Sequence, residues 1–340
     1  MRKLLVAVIA LVLIGAGLLA WVHFHGSSSN TTTTTAAGAP TTTTTTTPPV
    51  APLTGLADPT GISLRRPALT VKIENTPDAL PQWGVDQADV VYEEIVNGGI
   101  TRLAAVFNSR APLKIGPVRS VRPTDTQVVW PLGGIFAYSG GAAYAVASIS
   151  TAPVKLVDES SAGTAMFRVS NRYPPHNLFA IGPKLFAFGG KPVPPPALFS
   201  YRPTGTSAVG KPASRFVVAF PSIYPVTWTW NTTSASWDRT LFGRADITGT
   251  GVRESPKNVV VMWVNYVNGI GTEASYANLQ GRGPVAIFTD GKVIRGIWSR
   301  GPAKGDVLQY TTVAGQALQV TPGQTWVELL NSGVPLAVTP

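Results

Sequence analysis

The stretch DVVYEEIV-NGG-ITRLAAVF, residues 89–107, decides the fold of the chain. Two runs rich in β-branched and aromatic residues flank Asn97-Gly98-Gly99, a pattern that predicts an antiparallel hairpin. The length of the loop sets the partner of Arg102. With an Asn97-Gly98 loop Arg102 lies directly opposite Glu93, and with a Gly98-Gly99 loop the two are diagonal neighbours on one face. A three-residue loop gives Arg102 the partner Glu94 instead.

Further strands and short helices surround this hairpin. Residues 69–75 alternate between apolar and polar side chains, which predicts a strand with one buried face. Residues 124–130 are predicted to be helical, with Thr124 or Asp125 near the cap and Pro131 ending the helix. Residues 135–149 indicate a strand, a glycine turn and a helix. The sequence therefore predicts a mixed α/β N-terminal domain over residues 53–205.

A run rich in glycine and proline, residues 189–203, separates this domain from a region with an almost purely β pattern. We expect a β-rich C-terminal domain over residues 206–340, and hence an α+β fold class for the whole. Asp290-Gly291 is a hairpin signal between two of its strands. The predicted strands are 215–220, 226–230, 258–266, 285–289, 293–298 and 325–330.

The N-terminus predicts the compartment. Leu4 to Val22 is an uninterrupted apolar run that follows Arg2 and Lys3, and at about 1.5 Å per residue it spans ~28 Å, close to the thickness of a bilayer's hydrocarbon core. We expect residues 1–25 to form a retained signal-anchor helix with its N-terminus in the cytoplasm. Residues 26–52 are rich in Thr, Ser and Pro and are predicted to be a disordered stalk. The remainder would then be extracytoplasmic, held at the cytoplasmic membrane by a single span.

Composition excludes several classes of protein. The chain is 44% hydrophobic and only 13% charged, which is typical of a globular protein. It has no Cys, so it has no disulfide, thiol nucleophile or lipid-modified cysteine. With three His in total, a metal site is not expected, and no motif indicates a cofactor. Residues 53–340 carry 25 Lys and Arg against 17 Asp and Glu, but an extracytoplasmic location argues against nucleic acid as the partner.

Several blocks of sequence are recognisable over roughly residues 53–335. They are Arg66-Pro67, Ala88-Asp89-Val90-Val91-Tyr92-Glu93, Ile115-Gly116-Pro117-Val118-Arg119-Ser120, Arg122-Pro123, Pro175-His176-Asn177-Leu178, Asp290-Gly291-Lys292-Val293-Ile294 and Pro322-Gly323-Gln324-Thr325-Trp326. In this order they resemble the YerB-like family of bacterial envelope proteins. The resemblance implies an exported, membrane-tethered protein with two domains and no established biochemical activity. The chain departs from the family in lacking a lipidation Cys and in having Tyr138-Ser139-Gly140-Gly141 where many relatives have a His before Ala-Gly-Gly.

Arginines are the first candidates for binding. Arg119 and Arg122 lie in a loop bracketed by Pro117 and Pro123, and paired guanidinium groups suit the bidentate binding of phosphate or carboxylate. Arg102 of the hairpin is expected near them. The alternative is that each arginine pairs internally with Glu74, Glu93 or Glu94 and fixes the loop to the sheet.

Two loops add weaker candidates. Ser139-Gly140-Gly141, at a strand-to-helix turn, could direct backbone N–H groups towards an anion. His176 follows Pro174-Pro175 and could act as a general acid or base, although the sequence favours a loop His that caps a backbone carbonyl, with Asn177 bonding its own turn. Glu93 is a second weak catalytic candidate. Adjacent acidic residues on a strand face opposite sides, so Glu93 and Glu94 do not predict a carboxylate pair.

Aromatic residues leave a further alternative open. Trp228 and Trp230 share one face of a predicted strand and Trp237 follows a turn, so the three could stack on sugar rings. Packing within a core is the commoner reason for such spacing.

Three functions are compatible with these patterns. We expect a binding or scaffold module for an anionic or polysaccharide cell-wall component, with Arg102, Arg119 and Arg122 near the contact. The second is an enzyme acting on a cell-wall or lipid-linked glycan, with Arg119 and Arg122 as a phosphate clamp and His176 or Glu93 as acid or base. The third is an interaction partner of another envelope protein.

Overall fold

The computed structural model describes residues 48–190, 192–221 and 225–340, which form one compact unit. In this part of the chain about 38% of residues lie in strands and 12% in helices, so the fold is β-rich, and its described helices all lie between residues 62 and 186. The helices are α1 Pro123–Val129, α2 Ala143–Ile149 and α3 Gly182–Phe186, with 3-10 turns at Ile62–Leu64, Pro77–Ala79, Val85–Gln87, Asn97–Gly99 and Gly163–Ala165.

The strands are short except in the centre of the fold. In chain order they are β1 Leu69–Asn75, β2 Val90–Ile95, β3 Thr101–Phe107, β4 Ile135–Tyr138, β5 Lys155–Asp158, β6 Met166–Arg168, β7 Leu178–Ala180, β8 Ser200–Tyr201, β9 Lys211–Pro212, β10 Arg215–Val218, β11 Val226–Asn231, β12 Ser236–Leu241, β13 Arg244–Ala245, β14 Asn258–Val267, β15 Tyr276–Asn278, β16 Gly281–Thr289, β17 Lys292–Arg300, β18 Gln309–Thr311, β19 Gln319–Val320, β20 Thr325–Asn331 and β21 Ala337–Thr339.

One sheet runs through both predicted domains. Its strands follow the order β18-β17-β16-β14-β20-β2-β3-β1-β4-β5, with β9 beside β17 and β15 beside β14. Strand β20 lies between β2 and β14 and is parallel to both. Its residues are buried on both faces, as expected for a central strand. The two halves of the sequence therefore join within the sheet at β20.

The hairpin formed by β2 and β3 has a three-residue loop, residues 97–99. Glu94 lies opposite Arg102, and the amide of Val96 donates to the carbonyl of Ile100 across the loop. Gly98 and Gly99 have φ values of 75° and 73°, a left-handed conformation that glycine adopts without strain. Of the three registers compatible with the sequence, the structure thus selects the one that pairs Arg102 with Glu94.

A second sheet, β13-β12-β11-β10-β21, packs on one face of the first. The rings of Phe216 and Phe288 stack across the interface, and Trp228 meets Trp326 with ring centroids 5.4 Å apart. Trp228 and Trp237 are fully buried, and the Trp237 ring lies 5.2 Å from that of Trp230. These tryptophans form a core, so the alternative of a sugar-binding face built on them is wrong.

The predicted helices are present with small differences at their ends. Helix α1 begins one residue early, at Pro123, and the Asp125 carboxylate accepts a hydrogen bond from the Arg122 amide at its start. Thr124 does not cap the helix, because its hydroxyl accepts from the amide of Ala277. Residues 135–149 form the predicted strand, glycine turn and helix.

The predicted membrane anchor, residues 4–22, lies outside the described residues, as does most of the stalk. Between residues 48 and 340, no described helix is long and apolar enough to cross a membrane. The C-terminal end of the predicted stalk is corrected. Ala51 is buried and its amide donates to the carbonyl of Leu56, so the folded part begins before residue 53.

Candidate anion-binding site

The loop of residues 117–121 is fixed by backbone hydrogen bonds to three neighbouring segments. The amide of Arg119 donates to the carbonyl of Lys72 on β1, and that of Val118 donates to Leu178 on β7. The amide of Ser139 donates back to the carbonyl of Arg119. These bonds bring the loop, the glycine turn after β4 and the segment before β7 together. We call the polar surface formed by these three segments, together with Glu74, Arg102 and Arg122 that contact or adjoin the loop, the rim.

Glu74 is the carboxylate at the centre of the rim. Its side chain is only 2% exposed, and its Oε2 lies 2.8 Å from Nδ1 of His176. Its Oε1 lies 3.5 Å from Nε of Arg119, an ionic contact too long for a good hydrogen bond. The side chains of Arg119 and His176 are 19% and 24% exposed. Both could therefore meet a ligand while Glu74 holds them from below.

The other two arginines bond to neutral oxygens. Arg102 donates to the carbonyl of Ser120, and Arg122 donates to the carbonyl of Val121 and to the side chain of Asn97. Among the described residues, no carboxylate oxygen lies within 4 Å of either guanidinium. Burial, and after it the charges of Arg122 and Arg119, lower the pKa of Arg102 to about 10, against the opposing effect of Glu74 and Glu94. The rim thus concentrates positive charge.

A second ion pair, Arg168 with Glu159, links the predicted residues Ser139 and Asn177. No sequence pattern indicated this pair. Arg168 contacts Glu159 at 2.7 Å and donates to the side-chain oxygen of Asn177 at 2.6 Å. Ser139 donates to the same Glu159 carboxylate at 2.9 Å. Neither Glu159 nor Arg168 stands in a motif, and only the folding of β5 and β6 towards the turn places them here.

The glycine turn differs from an open anion nest. The amide of Ser139 is used by the Arg119 carbonyl, so it does not point outwards as predicted. Gly140 and Gly141 are exposed, and Gly140 accepts a hydrogen bond from the amide of Val121 through its carbonyl. A Cβ at Gly141 would lie 2.6 Å from a methyl of Val121, so this glycine allows the loop and the turn to approach.

Internal pairing of the arginines is confirmed only for Arg119 with Glu74. Glu94 faces Arg102 across the hairpin, but its carboxylate contacts the buried ammonium of Lys72, which also bonds Asp125 at 2.8 Å. Burial raises the pKa of Asp125 to about 6, against the opposing effect of Lys72. The expectation that Glu94 would fix an arginine of the loop is therefore corrected, because Lys72 occupies it.

Glu93 lies on the opposite face of the sheet, in a second buried cluster. It accepts from Arg239 of β12 at 2.7 Å, and Arg239 also contacts Asp246. Glu328 of β20 lies beside Glu93 in register and bonds the indole of Trp228. Glu93 is fully buried under the second sheet. It is therefore excluded as an acid or base at the rim, and Glu74 takes the position beside His176.

Two family profiles match the chain: the N-terminal domain described as "Protein of unknown function (DUF3048)" over residues 53–190, and the C-terminal domain of the same family over residues 216–327. The chain belongs to the DUF3048 family. It is also 34% identical over 130 residues to "Putative lipoprotein YerB" of Bacillus subtilis. That alignment covers 38% of this chain and 39% of the relative, so it spans about two fifths of the relative's length.

The structural comparison extends much further than the sequence alignment. A crystal structure of the YerB protein from Bacillus subtilis superposes with a TM-score of 0.75 at 22% identity, and the match covers 86% of this chain and 99% of the other. At this identity the match establishes the fold. The resemblance to YerB-like proteins seen in the sequence is confirmed, and with it an architecture shared by both family regions.

Proposed function

We propose that this DUF3048 chain is a membrane-tethered extracytoplasmic envelope protein whose rim binds an anionic cell-wall component. The name of the relative, "Putative lipoprotein YerB", supports a place in the envelope. This chain has no Cys, so we propose that residues 4–22 provide the tether instead. Under this proposal the folded part lies outside the cytoplasmic membrane.

One observation carries the proposal for the rim. Arg119 and Arg122 lie close enough to Arg102 to lower its pKa, and of the three only Arg119 contacts a carboxylate. Grouped guanidinium groups with few counter-charges are costly unless an anion neutralises them. Arg119 is the most exposed of the three, so a phosphate or carboxylate group would contact it directly while Arg102 and Arg122 contribute charge from beneath.

Calorimetric titration of the full chain in a non-ionic detergent tests this proposal. The anionic probe is poly(glycerol phosphate) and the neutral probe is dextran of similar length. We expect binding of the anionic polymer that weakens with salt and falls about 10- to 100-fold in Arg119→Ala, the loss of a charge-assisted contact. Arg282→Ala, at an exposed arginine without a described partner, is the matched control. Equal affinity of wild type and Arg119→Ala would refute the proposal.

A specific contact favours an enzyme as the second candidate function. The carboxylate of Glu74 orients His176 at 2.8 Å, beside the guanidinium of Arg119, an arrangement suited to proton transfer next to a bound phosphate. Turnover of a lipid-linked pyrophosphate glycan by wild type, lost in a folded His176→Asn variant, would support this candidate. Turnover that survives in His176→Asn would exclude the histidine from the chemistry.

A further inference from the structure

A groove of about 420 Å³ lies beside helix α1, which begins directly after Arg122 of the rim. Its walls are α1 and the residue Trp130 that follows it, Ser148 of α2, and the segment 276–280. The volume falls within the range of small-molecule sites, roughly 300–1,000 Å³. The groove is therefore large enough to hold part of a ligand rather than a single ion.

The lining side chains are uncharged, in contrast to those of the rim. They comprise three side-chain amides, three hydroxyls, an indole and a proline ring. Arg300 donates to the backbone carbonyl of Gln127 at 2.6 Å, and its guanidinium and the ammonium of Lys304 lie 5.7 Å and 5.5 Å from the centre of the Trp130 ring. These contacts hold the indole in a fixed orientation at the edge of the groove.

Each of the three side-chain amides makes a hydrogen bond within the protein through either its oxygen or its NH₂ group, and its other group is left for a ligand. Gln127 accepts from the amide of Leu279 and Asn278 accepts from the amide of Gln280, so each keeps its NH₂ group. Gln280 donates to the carbonyl of Pro302 and keeps its oxygen. No described residue bonds to these three remaining groups. The groove thus offers two fixed donors and one fixed acceptor.

Two aromatic side chains complete this set. The hydroxyl of Tyr276 has no partner among the described residues, and the indole N–H of Trp130 is buried without an acceptor. Tyr276 is half-buried and lines the groove, so its hydroxyl is open to a ligand, whereas Trp130 offers the face of its ring rather than its buried N–H. A fitting ligand would be uncharged, present several groups that both donate and accept, and have apolar C–H surfaces for the rings.

We propose that this groove binds a neutral sugar segment of a glycan. Sugar hydroxyls act as donors and acceptors at once, which matches the two amide NH₂ groups, the Gln280 oxygen and the Tyr276 hydroxyl. The argument for the groove uses none of the arginines. The inference rests on the proposed function only in naming the sugar part of the same cell-wall component, and its test uses a probe without charge.

The test is calorimetric titration of the full chain, in a polyoxyethylene detergent that carries no sugar, with a linear hexamer of β-1,4-linked N-acetylglucosamine. The groove variants are Gln280→Ala and Tyr276→Phe. Tyr276→Phe keeps the ring and removes a hydroxyl without a described partner, so it should fold even if Gln280→Ala does not. Gln309→Ala is the matched control, because Gln309 also donates to a backbone carbonyl but does not line the groove.

We expect wild type and Gln309→Ala to bind the hexamer equally, and each groove variant to bind it about 3- to 10-fold more weakly, as for the loss of one neutral hydrogen bond. Absence of binding by wild type at millimolar hexamer, or unchanged affinity in both groove variants, would overturn the inference. Weakening in Arg119→Ala alone would also overturn it, by assigning the sugar to the rim. Failure of the rim itself is measured separately, with poly(glycerol phosphate).

Discussion

Arg239 connects the two sheets, and its removal should destabilise the protein more than that of any exposed arginine. It reaches from β12 to Glu93 on β2 at 2.7 Å, contacts Asp246, and lies 4.6 Å from the centre of the Trp326 ring. Burial alone would lower its pKa, but Glu93 and Asp246 together raise it above the ordinary value. The guanidinium is therefore charged at any pH at which the protein is folded.

The magnitude follows from what Arg239→Met leaves behind. Methionine fills much of the same volume, but it leaves the buried Glu93 carboxylate facing Glu328 without a cation. Breaking a buried ion pair in this way typically costs about 3–5 kcal/mol. At roughly 2 cal/mol/K of unfolding entropy per residue, the compact unit has ~0.6 kcal/mol/K, so the unfolding midpoint should fall by ~5–8 °C.

Calorimetry or circular dichroism on purified chains measures this shift. Arg282→Met is the matched control, since Arg282 is exposed and has no partner in the described part of the chain, and its effect should stay within about 0.5 kcal/mol. A loss below about 1 kcal/mol in Arg239→Met would refute the reasoning. It would mean that the carboxylates around Arg239 hold protons and need no cation.

Two more predictions concern a buried acid and a crowded turn. Glu254 is fully buried and neither of its oxygens has a described partner; burial, then Asp246 and Asp86, raise its pKa well above the ordinary value. Glu254 therefore stabilises the folded chain below pH ~4.5, and this stabilisation is lost as pH rises towards the pKa of Glu254 in the folded state. The urea midpoint should decline less between pH 5 and pH 9 in Glu254→Gln than in wild type. Parallel declines in the two proteins would contradict this. Gly134→Ala should lower the free energy of unfolding by at least about 2 kcal/mol, because φ is 79° and the new Cβ would lie 2.2 Å from the Ala68 carbonyl oxygen. Gly133→Ala is the control: φ is 60° and the nearest atom to the new Cβ is 3.8 Å away, so the loss should be only ~1 kcal/mol. Equal losses in thermal unfolding would show that the close approach to Ala68 has no effect.

Local patterns predicted the secondary structure well because they depend on near neighbours. The alternation in β1, the Asp290-Gly291 turn and the strand-turn-helix of residues 135–149 are all as expected. The hairpin register needed the structure, since Asn97-Gly98-Gly99 is compatible with three loops. Its choice is supported by a distant contact, the hydrogen bond from the Gly98 amide to the carbonyl of Gly271, which no local pattern contains.

The partners of the buried charged groups could not be predicted from local patterns either, because they come from distant parts of the sequence. The position of β20 between β2 and β14 places Glu328 beside Glu93, and the packing of β12 brings Arg239 to both. Along the chain Arg239 lies 146 positions from Glu93, and Glu328 lies farther from it still. Pairing by alternation along one hairpin would have assigned Glu93 or Glu94 to Arg102, whereas each has a closer cation from another segment.

The rim and the groove meet at helix α1, which gives the two proposals a common physical consequence. Arg122 caps the start of α1 and Trp130 follows its end, so at 1.5 Å per residue the two lie within about 12 Å along the helix. A wall polymer that carries anionic and neutral units could contact both at once. The second contact would then be intramolecular, so the polymer should bind more tightly than either probe alone. Salt should weaken only the arginine part, because the amides of the groove carry no charge to screen.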